Sequence, residues 1–202
     1  MPLIHLTNGG FRYSGTNRWI FRGLDFAVSA GEAVHVTGRN GSGKTTLLKV
    51  IAHILPLTEG EFQSQGGGVA YMDQFAGEML ARDLTVAEQV KMATAIKNGA
   101  FSSLALMLDE FDVGLRERTT DFVGFLSGGQ RQIVALLCTL AAGATVLCLD
   151  EFTASMDDHS ASVANTILER VRGTMQTALV LVSHSSVGIR VDREFSPLVE
   201  AR

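Results

Sequence analysis

Few features of this sequence point to an oxidising compartment, a membrane span or a nucleic-acid partner. Its 202 residues include two cysteines, Cys138 and Cys148, both inside apolar runs and without CxxC spacing. They read as small buried side chains, not as a disulfide or a metal pair, which suits a reducing cytoplasm. Basic residues are outnumbered: 17 Lys and Arg against 21 Asp and Glu give a net charge of −4. No global basic field attracts a polyanion, and no nucleic acid is expected as a partner. The opening MPLIHLTNGGFRY lacks the basic start and apolar stretch of a secretory signal. One long uncharged run, Ile133–Leu149, approaches the length of a membrane span. Gly143 divides it, so a buried helix (Ile133–Ala142), a turn and a buried strand (Thr145–Leu149) fit better. Internal repeats, heptads and low-complexity tracts are absent too.

What remains is an ordinary globular composition, 46% apolar and 19% charged, with a length suited to one compact domain. Short β-like runs come first: Leu3–Leu6, a turn at Gly9-Gly10, then Leu24, Phe26 and Val28 alternating. Glu32–Thr37 reads as a strand entering a glycine loop, and Thr45–Leu55 as a helix stopped by Pro56. Val69–Met72 is a short strand. Helical spacing with scattered charge follows from Leu84 to Val113. Strand-like runs return at Thr145–Leu149 and Ala178–Val182, with a helix near Ala161–Val171 between them. Strands alternating with helices predict an α/β fold around a parallel sheet.

Three constellations carry chemistry. Gly38-Arg39-Asn40-Gly41-Ser42-Gly43-Lys44-Thr45 is a complete GxxxxGK[ST] loop. Its glycines let successive backbone N–H groups curl around a polyphosphate, and the helix that starts at Lys44 adds its positive end. Lys44 is expected on the β- and γ-phosphates, the Thr45 hydroxyl on Mg²⁺, and Thr46 beside them. The second is the apolar run Val146–Leu149 ending in Asp150-Glu151. Asp150 is placed to organise the metal and Glu151 to polarise an attacking water as general base. The third is Leu126-Ser127-Gly128-Gly129-Gln130, a short Gly-containing segment leading into an apolar helix. His184 follows the last strand run through Ser183, where the C-terminal strand ends of a parallel sheet gather. A lone histidine there reads as structural or as reaching a γ-phosphate. Tyr13 is a candidate to stack on a purine ring, although Phe11, Trp19 and Phe21 nearby also suit a core aromatic.

Together these residues resemble the nucleotide-binding domain of ATP-binding cassette (ABC) proteins, from Tyr13 to His184. The resemblance identifies the Walker A loop (38–45), the Q-loop glutamine Gln74, the LSGGQ signature (126–130) and Walker B (146–150). Glu151 matches the catalytic glutamate, Ser155-Met156-Asp157 the D-loop and His184 the switch histidine. It implies a P-loop NTPase core, a small N-terminal antiparallel β-subdomain and an inserted α-helical subdomain at about 75–125, all in one domain over 1–202. It also implies ATP and Mg²⁺ as cofactors. Glu151, His184 and Gln74 would act in catalysis, and Thr45, Gln74 and Asp150 at the metal. Two such domains would pack head to tail, with Ser127, Gly128, Gly129 and Gln130 of one chain meeting the ATP held by Gly38–Thr46 and Tyr13 of the other.

The sequence departs from the family pattern in places. Phe152 stands where a proline is usual, and Leu137-Cys138-Thr139-Leu140 stands where many members carry Ala-Arg. The short interval from Lys44 to Gln74 implies a trimmed β-subdomain, and the short stretch after His184 a reduced C-terminal hairpin. The implied function is to energise an ABC transporter through separate permease subunits at the cytoplasmic face of the membrane, with the segment 74–123 receiving them. A soluble cassette ATPase of translation or DNA repair is the alternative, but the chain has neither a second cassette with a charged linker nor long coiled coils or zinc-binding cysteines.

Overall fold

The computed structural model describes residues 1–96, 115–183 and 188–197. Two sheets organise it. Strands β1 (Pro2–Phe11), β2 (Phe21–Ser29) and β4 (Glu59–Ser64) form an antiparallel sheet in the order β2-β1-β4. Strands β3 (Ala33–Val36), β5 (Gly68–Asp73), β6 (Ala144–Asp150), β7 (Ala178–Val182) and β8 (Arg193–Phe195) form a parallel sheet in the order β5-β6-β7-β3-β8. The helices are α1 (Lys44–Ile51), α2 (Val86–Ile96), α3 (Gly128–Ala141) and α4 (Asp158–Met175). The expected α/β architecture, with its antiparallel β-subdomain and helical segment, is present. Among the described residues no helix is long and apolar enough to cross a membrane.

The near-continuous apolar runs of β6 and β7 follow from burial on both faces. Val146, Cys148, Val180 and Val182 face one core with Leu47, Leu48 and Ile51 of α1 and with Ile4, Leu6 and Phe26 of the antiparallel sheet. Leu147, Leu149, Leu179 and Leu181 face the other, with Ile133, Leu136 and Leu140 of α3 and Ile167 and Leu168 of α4. Both departures in these segments are absorbed by packing: Phe152, Leu137 and Leu140 all lie in this second core.

Two local expectations are corrected. Gly9-Gly10 is not a turn: β1 runs through it with register shifts on either side. The segment is irregular because Asn8 takes a left-handed φ of 49° and the chain passes the backbone of Gly60 closely. Helix α1 ends at Ile51, not Leu55, because His53 turns left-handed (φ 58°) and Ile54 N–H returns to the Lys49 carbonyl. The edge strand β4, in the interval before Gln74, was not foreseen. β8 was also unforeseen; it is a charged edge strand in which Arg193 pairs with Glu32 at 2.6 Å. The helical pattern toward Val113 and the histidine at 184 lie outside the described residues.

Both cysteines are free, and Cys148 is fully buried. Burial pushes the Cys138 thiol up to about 12 and that of Cys148 further. Neither thiol is expected to react with iodoacetamide near pH 8 in the folded chain, and both should react in urea. Mass spectrometry of the alkylated protein checks this; a carboxamidomethyl group on native Cys148 would contradict it.

Candidate functional site

The phosphate loop lies between the C-terminal end of β3 and helix α1. Gly38, Gly41 and Gly43 take φ of 139°, 79° and 90°, a region open to glycine at little cost. Gly43 is constrained twice, since a Cβ there would meet Ile20 Cγ2 at 2.7 Å. Lys44 is buried, and its Nζ donates to the carbonyls of Gly38 (2.8 Å) and Arg39 (3.2 Å). Thr45 is exposed beside it. The Ser42 hydroxyl is buried without a hydrogen-bond partner. An orphaned hydroxyl under a ring of left-handed glycines fits a loop built to wrap an anion.

Parallel pairing sets Asp73, Asp150 and Val182 side by side at the ends of β5, β6 and β7. Gln74 directly follows Asp73 at this sheet edge, and its carbonyl accepts from Ser155 Oγ at 2.9 Å. Asp150 is buried, and its Oδ2 accepts a 2.8 Å hydrogen bond from the Tyr71 hydroxyl. Burial, and then that bond, push the Tyr71 phenol far above its ordinary range, so it stays a donor. Glu151 turns the chain with φ 53°, a left-handed conformation rare for a non-glycine residue. Its N–H is held by the Val182 carbonyl at 2.9 Å. Glu151 lines a cavity of about 480 Å³ together with Asn40, Gly41, Gly43, Lys44, Thr45 and Thr46. Glu151 and the phosphate loop therefore face one space.

The Thr45 hydroxyl, the Gln74 amide and the Asp150 carboxylate are hard oxygen donors that suit Mg²⁺. Among the described residues no cluster of three or more His, Cys, Asp or Glu could hold a metal by itself. When bound, such an ion supplies charge neutralisation at the phosphates.

Tyr13 is exposed and stands edge-on to Phe11, with ring centroids 5.0 Å apart. Its hydroxyl lies 3.4 Å from Thr46 Oγ1, beside the phosphate loop. It borders a second cavity of about 740 Å³, lined also by Arg12, Asn17 and Pro56.

The signature opens helix α3. Ser127 is its N-cap, accepting from Gln130 N–H at 3.2 Å, while Gln130 Oε1 accepts from Ser127 N–H at 3.0 Å. This reciprocal capping box fixes the helix end. Arg118, which the sequence did not single out, donates to the same Gln130 oxygen at 2.9 Å and holds Asp121. The two glycines differ: a Cβ on Gly128 meets nothing within 4 Å, whereas one on Gly129 would meet Ser160 Oγ at 2.4 Å. Gly129 is needed for packing against the start of α4, where Asp157 caps Ser160. Ser127 and Gly128 are exposed. None of residues 126–130 lines the cavity around Lys44.

A strand, glycine loop and helix at the C-terminal edge of a parallel sheet, with Asp150 and Glu151 at the end of β6 on the far side of β7, define a P-loop nucleotide-binding fold. The family model described as ABC transporter matches residues 21–154, and the chain belongs to that family. It is 34% identical to the aliphatic sulfonates import ATP-binding protein SsuB 1 of Rhodococcus jostii over 184 residues, covering 90% of this chain and 72% of that protein. It is 31% identical to the zinc import ATP-binding protein ZnuC of Rhizobium meliloti over 186 residues, covering 91% of this chain. The chain spans 59% of the length of that zinc import protein. Among solved structures, the ATP-binding cassette MJ0796, dimeric and bound to ADP and Pi, shares the fold with a TM-score of 0.71 at 22% identity, covering 90% of this chain and 88% of that one.

Proposed function

We propose that this chain is the ATP-binding and ATP-hydrolysing subunit of an ABC transporter, working as a head-to-tail pair around two ATP molecules. The observation that carries the reading is the division of parts. Lys44, Thr45 and Glu151 line one cavity, while the signature presents Ser127 and Gly128 to solvent elsewhere. Each chain then supplies half of two sites. The loop Gly38–Thr46 holds the triphosphate and Lys44 neutralises its β- and γ-phosphates. Glu151 takes a proton from the attacking water as that water bonds to the γ-phosphorus. The bond to the β,γ-bridging oxygen breaks, and ADP and inorganic phosphate leave. The opposite chain's helix α3 directs its N-terminal N–H groups and the Ser127 hydroxyl at the same γ-phosphate. Gln74 is proposed to act on the same water.

Separate permease subunits at the cytoplasmic face of the membrane are the proposed partners. Support comes from the names of the import ATP-binding relatives and from the exposed side chains Phe75, Met79, Met92, Phe122 and Phe125 around the helical segments. The purified chain should release phosphate from MgATP, and detergent-solubilised membranes should yield it together with hydrophobic subunits. Phosphate release no faster than that of a Lys44→Ala variant would overturn the ATPase reading.

Tyr13 is proposed as the platform for the base. Tyr13→Ala should weaken nucleotide binding by roughly 1–3 kcal/mol, the scale of an aromatic–base stack, for adenine and guanine nucleotides alike. Isothermal titration checks this, and an unchanged Kd would assign the base to another surface.

A further inference from the structure

We infer that Gln132 is a positioning residue that joins the Gln74 loop, the signature helix and the turn after Glu151 into one mechanical unit. This rests on the proposed two-chain ATPase. Gln132 lies in the first turns of α3 and is 2% exposed. Its Oε1 accepts from Gly77 N–H at 2.6 Å, and its Nε2 donates to the carbonyls of Asp73 at 2.5 Å and Phe152 at 3.3 Å. Asp73 immediately precedes Gln74, and Phe152 immediately follows Glu151. One amide therefore holds the backbone on both sides of the hydrolytic centre. It does so from the helix whose first residues are offered to the opposite nucleotide.

The chemistry requires this side chain. The joint needs one acceptor and two donors on a single planar group, which a glutamine amide supplies and a carboxylate or thioether does not. The contact is also close: a Cβ on Gly77 would meet the Gln132 backbone nitrogen at 2.7 Å. Flanking ties run in parallel. Arg131 donates to the Leu126 carbonyl at 2.6 Å and to Glu78 at 2.6 Å, and Ser155 Oγ donates to the Gln74 carbonyl at 2.9 Å. Glu78 and Ser155 are exposed, so these ties are weaker than the buried amide. A shift of the Gln74 loop is thus transmitted to Ser127 and to the Glu151 turn chiefly through Gln132.

Hydrogen exchange with mass spectrometry on the full chain tests the joint without relying on turnover. In the wild type, MgATP should raise protection at 38–45 and also at 126–130. Gln132→Met fills the same volume without the three bonds. It should keep the response at 38–45, lose that at 126–130, and lower kcat at least about tenfold with an unchanged Kd for ATP, the pattern of a lost transition-state arrangement. If Gln132→Met does not fold, Gln132→Glu retains the bond to Gly77, loses both donated bonds and should give the same result. A signature response that survives in the folded variant, or is absent in the wild type, overturns the inference. A wild type that binds ATP without hydrolysing it overturns the ATPase reading instead and leaves the exchange result intact.

Discussion

Glu151→Gln is expected to lower the rate of ATP hydrolysis about 10²- to 10⁴-fold, the range for removal of a positioned general base. ATP binding should remain, because the loop Gly38–Thr46 and Lys44 are untouched. The substitution preserves size and one hydrogen-bonding oxygen, so the left-handed turn at φ 53° and the N–H bond to Val182 should persist. Trapping ATP in the closed pair follows from the same logic: with hydrolysis blocked, nothing releases the two chains. Single-turnover kinetics against the wild type measure the effect. A loss smaller than about tenfold would remove Glu151 from the role of general base.

The second large effect is expected at Ser127. Ser127→Arg should bind ATP as the wild type does and lose turnover by about 10²-fold or more, the cost of losing a donor aimed at developing charge. The bulky cation also obstructs the helix end that receives the opposite γ-phosphate. Ser127 is an N-cap, so the variant costs about 1 kcal/mol of stability as well, a small part of the 5–15 kcal/mol typical of a domain. Ser127→Gly separates the two contributions, since glycine caps nearly as well but lacks the hydroxyl. A variant with unchanged kcat would contradict a role for the signature across the pair.

What was legible in the sequence was whatever chemistry demands at fixed spacing. The glycine loop, the run ending in Asp150-Glu151 and the serine before Gly128-Gly129 each need particular residue types in order, and the fold brings the loop and Glu151 to one cavity. The buried strands β6 and β7 were legible because both faces must be apolar. The strands β4 and β8 were not: they are edge strands, partly exposed, and their sequences carry no alternation that separates them from loops. The supporting side chains were hidden for another reason. Tyr71 meets Asp150 across 79 residues of sequence, and Gln132 meets Asp73 across 59. Such pairings exist only once parallel register has brought strand ends together. The left-handed backbone at Glu151 has no residue signature either, because glycine, the usual marker of that conformation, cannot serve as a base.

The central claim is that each active site is shared between two chains. Light scattering of Glu151→Gln, with and without Ser127→Arg, in the presence of MgATP tests it most directly. The single variant should have twice the 21.7 kDa mass of the chain, and the double variant, although it still binds ATP, the mass of one chain. Two monomers, or a double variant that dimerises as readily as the single one, would contradict it.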